Sequence, residues 1–261
     1  MTRLFGAVTP EPNNTLTRPP SPIGRATSTR PITSENNHLT QRGFGMGASR
    51  QWQLWCATMT GMKRSTGIGR LGEVGEGLDR AKQWSDVSVT AGYVWGALLD
   101  GDHDLEYVSI ALVVDEPAER VPWMSRPAHL EATAKLLRLD KLPIVWQWRP
   151  AEWPVWNHQI DRAAGFWSRD GGLDQMVIGA LNARVTDGVQ IAHPADADGL
   201  RRQVEVEHAS ARRHLAEVTA MFGDREWRRD HRGDGSYPED TLWTAAAGFI
   251  ELDNWLNRPG R

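Results

Sequence analysis

Residues Val108-Ser109-Ile110-Ala111-Leu112-Val113-Val114 form an almost unbroken apolar run, rich in β-branched side chains and bounded by Asp104 and Pro117. Such residues favour strands, and a strand without apolar–polar alternation has to be covered on both faces. The run is far too short to span a bilayer. It predicts one strand buried inside a sheet, with other elements packed on either side.

Neighbouring segments supply those elements. Val87, Val89, Ala91, Tyr93 and Trp95 alternate and predict a second strand, and Gly96–Gly101 reads as a short helical turn. Leu142–Trp148 predicts a third strand, with Val145-Trp146-Gln147-Trp148 alternating between faces, and Gly188–Ala192 a short fourth. From Lys63 to Trp84, residues Ile68, Leu71, Val74, Leu78, Ala81 and Trp84 recur every three or four positions, one face of a helix. Five glycines (67, 69, 72, 75, 77) weaken it, at roughly 1 kcal/mol each in a helix interior. Gly67-x-Gly69-x-x-Gly72 has the spacing of a dinucleotide fingerprint, but no strand precedes it. Leu130–Leu139, Trp156–Trp167 and Leu173–Arg184 read as further helices. Leu200, Val204, Ala211, Leu215, Val218 and Phe222 form one late stripe, and Leu242, Ala246, Phe249, Leu252 and Leu256 another, after the helix start Pro238-Glu239-Asp240. Joined by the polar loop Arg228–Tyr237, these make a helical hairpin. The expected fold is α+β, a small mixed sheet with flanking helices followed by a C-terminal helical hairpin.

Composition divides the chain near residue 62. Residues 1–61 hold six Pro, many Ser, Thr and Asn, and six Arg against Glu11 and Glu35, a net of +4. Since the whole chain carries −3, residues 62–261 carry −7. An acidic body gives no support to general nucleic-acid or membrane binding. The leader lacks the apolar surface that offsets ordering entropy, so residues 1–48 are expected to be disordered. The open alternative is a translation start at Met59 or Met62. The expected organisation is a leader over 1–61, an α/β domain over 62–198 and a helical region over 199–261, in a cytoplasmic protein. Cys56 is the single cysteine, which excludes an intramolecular disulfide and a zinc site built on cysteines. Tryptophan is in excess, 13 against 3 Tyr and 5 Phe, and 11 of the 13 follow residue 61.

The stretch Tyr93-Val94-Trp95-Gly96-Ala97-Leu98-Leu99-Asp100-Gly101, followed by the strand Ser109–Val114, resembles the opening of the minimal nucleotidyltransferase fold. In that family a strand ends in Gly-Ser, a short helix follows, and the next strand carries Asp-x-Asp. The serine helps hold the nucleotide phosphates and the carboxylates hold magnesium. Gly188-Val189-Gln190-Ile191 is similar to a glycine-then-strand feature later in such domains, and the hairpin to their frequent helical partner. The departures fall on the chemistry. Gly96 is kept, but Ala97 stands for the serine, and Ser109 and Ala111 stand for the aspartates. The resemblance implies a nucleotidyltransferase-like domain without its magnesium ligands, with no metal and no cofactor. It implies a binding or regulatory role in a toxin–antitoxin or defence setting. Residues 62–257 also resemble a family of actinobacterial proteins of unassigned function, which implies no activity.

Asp100-Gly101-Asp102-His103-Asp104 is a dense acidic turn. A calcium loop would need Gly and Glu where Leu105 and Ala111 stand, so a solvated turn is the plain reading. Trp146, Trp148, Trp153 and Trp156 lie within eleven residues, with Arg149 among them and His158 just after. Exposed, they would stack on bases or sugars, with Arg149 on a phosphate; buried, they fill a core or a junction. Both readings stay open. Arg225 and His231 resemble the Arg-x4–6-His motif of helical ribonuclease domains that partner nucleotidyltransferases. That implies an alternative function, a metal-independent ribonuclease in which the pair acts on the scissile phosphate across a dimer. Glu205, Glu207 and His208 lie close together on the first late helix, with Glu205 and His208 read as a surface pair. No nucleophile elbow, phosphate-binding loop or His-Glu-x-x-His motif occurs. The expected partner is another protein or a second copy through the C-terminal helices, with nucleotide or RNA as the other candidates.

Overall fold

A computed structural model describes residues 61–84, 88–232 and 237–258. The expectations for the leader through residue 60, with Cys56 and Met59, for Val87 and for residues 233–236 of the polar loop lie outside them. In chain order the elements are β1 Met62–Lys63, α1 Arg64–Ala81, β2 Val89–Trp95, α2 Ala97–Asp100, β3 Asp104–Leu105 and β4 Val108–Val114. A 3-10 turn at Ala118–Arg120 precedes α3 Ala128–Leu136, β5 Ile144–Pro150, β6 Ala163–Ser168, β7 Gly172–Leu173 and α4 Gln175–Ala183. β8 Ile191–Ala192, α5 Ala197–Met221, α6 Arg225–Asp230 and α7 Pro238–Leu256 complete the chain.

The fold is α+β. Six strands form one mixed sheet in the order β5-β4-β2-β6-β7, with β8 also paired to β6. β4 and β5 run parallel, which requires a crossover, and α3 lies in that connection. The remaining pairs are antiparallel, as is a separate two-stranded pair of β1 with β3.

The pleat of β4 divides its side chains between two cores. Val108, Ile110, Leu112 and Val114 join Leu71, Val74 and Leu78 of α1 and Ile144, Trp146 and Trp148 of β5. Ala111 joins Val204 and Ala211 of α5 and Leu252 of α7 on the opposite face. The apolar run is therefore an interior strand between β5 and β2, with α1 on one side and the C-terminal helices on the other.

α1 tolerates its glycines partly because two of them admit other elements. A Cβ on Gly67 would lie 2.7 Å from Leu105 Cδ1, and one on Gly75 would lie 2.6 Å from Leu173 Cδ1. All three glycines of the fingerprint spacing sit inside this helix, not at a strand-to-helix turn. The helix ends at Ala81, so Trp84 lies beyond it and is exposed.

Two expectations are corrected. Residues 156–167 are not a helix. Asn157 Oδ1 accepts hydrogen bonds from the Gln159 and Ile160 amides, a turn that competes with helical bonding, and the chain then continues as β6 against β2. The loop beginning at Arg228 also contains the end of a helix. Asp224 caps α6 by accepting from the Trp227 amide at 2.7 Å, which makes residues 225–230 helical. The strand expected over 188–192 shortens to Ile191–Ala192.

Candidate functional site

The turn after β2 brings Gly96 beside Ser109 and leaves Ala97 and Ala111 against opposite cores. Gly96 takes φ 69° as the residue before α2, and a Cβ there would lie 3.7 Å from Ser109 Oγ. Trp95 pairs with Ser109 and Tyr93 with Ala111 across β2 and β4. Tyr93, Trp95 and Ala111 belong to the core beneath α5 and α7. Ser109, in phase with Ala111, is 6% exposed, and Ala111 is fully buried. Ala97 packs against the other core, beside α1. None of Tyr93, Trp95, Ser109 and Ala111 is a carboxylate. Acids gather instead at the C-terminal end of α2. Burial and the nearby Asp161 and Asp102 carboxylates raise the Asp100 carboxyl above its ordinary range, with Arg162 opposing them. Among the described residues, no group of three or more His, Cys, Asp and Glu is placed to hold a metal ion.

The sheet divides the tryptophan cluster. Trp146 and Trp148 enter the α1 side, where the Arg126 guanidinium lies 3.9 Å from the Trp146 ring centre. Arg149 enters the α5 side, with Trp123 and Trp153 rings 5.7 and 5.8 Å from its guanidinium. Trp156 is half-buried on the loop between β5 and β6. The four rings do not line one pocket.

Arg149 is the centre of a buried polar seam. Its Nη1 donates to Glu207 Oε2 at 2.9 Å and its Nη2 to Glu207 Oε1 at 2.6 Å, a two-pronged pair between β5 and α5. Nη2 also donates to the Pro154 carbonyl at 2.8 Å. Asn157 and Gln203 each donate to the same carboxylate at 3.0 Å. Burial alone would raise the Glu207 carboxyl. The Arg149 charge, with the hydrogen bonds from Arg149, Asn157 and Gln203, outweighs burial and holds it below the ordinary carboxylate range.

Two histidines fasten α7 to the same layer. His158 Nε2 lies 2.7 Å from Glu251 Oε1, with its ring edge-on to Trp123 and Trp255. His208 stacks on Phe249 and reaches Asp253 at 3.2 Å. Glu205 pairs with Arg201 at 3.1 Å, so the expected Glu205–His208 surface pair is not formed. Arg201, one turn earlier, takes Glu205, while Asp253 of α7 takes His208.

Arg225 opens α6 and His231 closes it. His231 Nδ1 lies 2.9 Å from the Trp227 carbonyl, and its ring stacks on Trp227 at 4.0 Å. A carbonyl only accepts, so Nδ1 carries the proton of this bond.

The sequence does not single out Gln203 or Asn157, and it shows Glu207 beside Glu205 and His208 without a role. One signal pointed to Glu207. The stripe on α5 jumps seven residues from Val204 to Ala211, and Glu207 fills the helical position between them.

A family model described as a domain of unknown function (DUF7711) matches residues 62–258. No curated protein and no solved structure matches the chain.

Proposed function

The chain belongs to that DUF7711 family, and we propose that it is a non-catalytic, nucleotidyltransferase-like binding or regulatory module of the cytoplasm. The observation that carries this reading is Ala111. It stands where the resemblance expects a carboxylate, it is fully buried, and α5 and α7 cover its face of the sheet. A magnesium-dependent transfer of the family's kind needs carboxylate ligands and an open path for two substrates; Ser109 and Ala111 supply no carboxylate, and α5 and α7 cover the path. Among the described residues, no helix is long and apolar enough to cross a membrane. The toxin–antitoxin or defence setting follows from the resemblance alone.

The docking element of this module is the outer face of the C-terminal helices, and its occupant is a second copy. Trp243 and Ile250 on α7 are 55% and 53% exposed. α7 carries Glu239, Asp240, Glu251 and Asp253 and no basic residue, whereas the four arginines of α5 are balanced by Asp198, Glu205, Glu207 and Glu217. Seven residues apart, Trp243 and Ile250 share one face of α7, and a two-fold arrangement packs that face against its own copy, a self-complementary contact.

The ribonuclease alternative asks Arg225 and His231 to face one groove. Six residues apart on a helix, they lie about 120° apart around α6, which weighs against it.

Two assays test the proposal. Labelled nucleoside triphosphates with Mg²⁺ or Mn²⁺ should yield no transferred label. Transfer that disappears in Asp100→Asn or Asp161→Asn would overturn the non-catalytic reading. Light scattering should report a dimer for the natural chain and a monomer for Trp243→Ala/Ile250→Ala. A monomer for both would remove the second copy as the occupant.

A further inference from the structure

Opposite the covered face, β1, the first turn of α1, β3 and the residue after α4 meet around an open groove lined by Lys63, Arg64, Ser65, His103, Asp104 and Arg184. Arg64 is only 6% exposed. Its Nε and Nη2 donate to the Leu181 carbonyl at 3.1 and 3.0 Å, and Nη1 reaches the Asp102 carbonyl at 3.4 Å. Carbonyl dipoles satisfy these N–H groups but carry no net charge. Among the described residues, neither Arg64 nor Lys63 nor Arg184 forms an ion pair. The Arg184 guanidinium instead lies against His103, with Nη1 2.7 Å from Nε2 and Nη2 2.9 Å from Nδ1.

A buried cation that no carboxylate meets in an ion pair is costly. Here burial first, then the like charge of Arg184, depresses the Arg64 guanidinium, and the Asp102 carboxylate only partly opposes them. Asp104 stands on the rim as the one acid lining the groove. The amides that open α1 add a partial positive charge on the same side, because the helix has no side-chain cap and no acid in its first turn.

We propose that this groove binds the phosphate group of a small molecule, whose negative charge completes the unpaired Arg64. Lys63 and Arg184 are exposed, one on each side, and supply the donors that reach a phosphate from solvent. Residues 62–261 carry −7, so the cationic surface is local and suits one phosphate better than a nucleic-acid backbone. The site shares no residue with the covered sheet face, and its test is independent of the function proposed above.

The full chain is titrated with inorganic phosphate, a nucleoside monophosphate, the matching nucleoside and a single-stranded oligonucleotide, at constant ionic strength, by calorimetry and thermal melting. Inorganic phosphate or the monophosphate should bind saturably and raise the melting temperature, and the nucleoside should do neither. A preference for the monophosphate over inorganic phosphate identifies an ester as the ligand, and equal binding identifies free phosphate. Lys63→Gln/Arg184→Gln alters only exposed side chains and should weaken binding by about tenfold or more, or 1.4 kcal/mol per decade. No saturable binding, equal binding by the double variant, or binding of the oligonucleotide alone overturns the assignment.

Discussion

Arg149 and Arg64 are buried to similar degrees and held in opposite ways. Arg149 meets a carboxylate with two donors, and Asn157 and Gln203 complete that carboxylate's hydrogen bonding. Arg64 meets backbone carbonyls and a second guanidinium beside an open groove. The first arrangement closes on itself and joins two layers of the fold. The second leaves a charge to be answered from solvent. Burial of an arginine thus says little about its role until its counter-charge has been found.

The sharpest way to break the contrast is to remove one partner of the closed pair. Glu207→Ala strands the Arg149 charge and should cost about 3–5 kcal/mol of unfolding free energy, read by urea denaturation. Replacing both partners, as Arg149→Met/Glu207→Leu, should recover most of that loss. If the double variant is as unstable as the single one, the seam holds more than a paired charge.

The seat of α7 in the same layer gives a smaller effect. A Cβ on Gly248 would lie 2.5 Å from the Trp123 carbonyl oxygen, a backbone atom that cannot swing aside. Gly248→Ala should destabilise the chain by about 1–3 kcal/mol. Arg64→Met should cost less than Glu207→Ala, about 1–2 kcal/mol in phosphate-free buffer, because only bonds to carbonyls are lost and an unpaired charge goes with them. An equal or larger loss would mean that Arg64 is as structural as Arg149.

Acid separates the two regions by direction. The Glu207 carboxyl is held lower in the folded chain than in the unfolded one. Its contribution is therefore complete above the ordinary carboxylate pKa, near 4.5, and is lost as pH falls through the depressed folded value. Urea midpoints measured from neutral pH downward should fall less steeply below that point in Glu207→Gln than in the natural chain.

Much of the fold was legible because its strongest signals are local. The run at 108–114 dictated a strand covered on both faces, and the α7 stripe followed a proline at the first helical position. Residues 156–167 misled because Trp156, Ile160, Ala163 and Trp167 recur every three or four positions, the period of a helix. The decisive feature was one side chain, Asn157, bonding to the amides of Gln159 and Ile160. The seam was half visible. Arg149 stood out among the tryptophans, while Glu207 carried no assigned role until the register of α5 placed it among Val204 and Ala211. The Arg64 groove draws on four separated elements, and no spacing in the sequence announces it.

α5 and α7 form a fixed cover over the face of Ser109 and Ala111. Hydrogen exchange read by mass spectrometry tests it directly. Peptides from residues 108–114, 204–218 and 241–252 should be protected together and should lose protection together, at the free energy of global unfolding. Faster, independent exchange of both helices while the strand stays protected would show a cover that opens, and would contradict the claim.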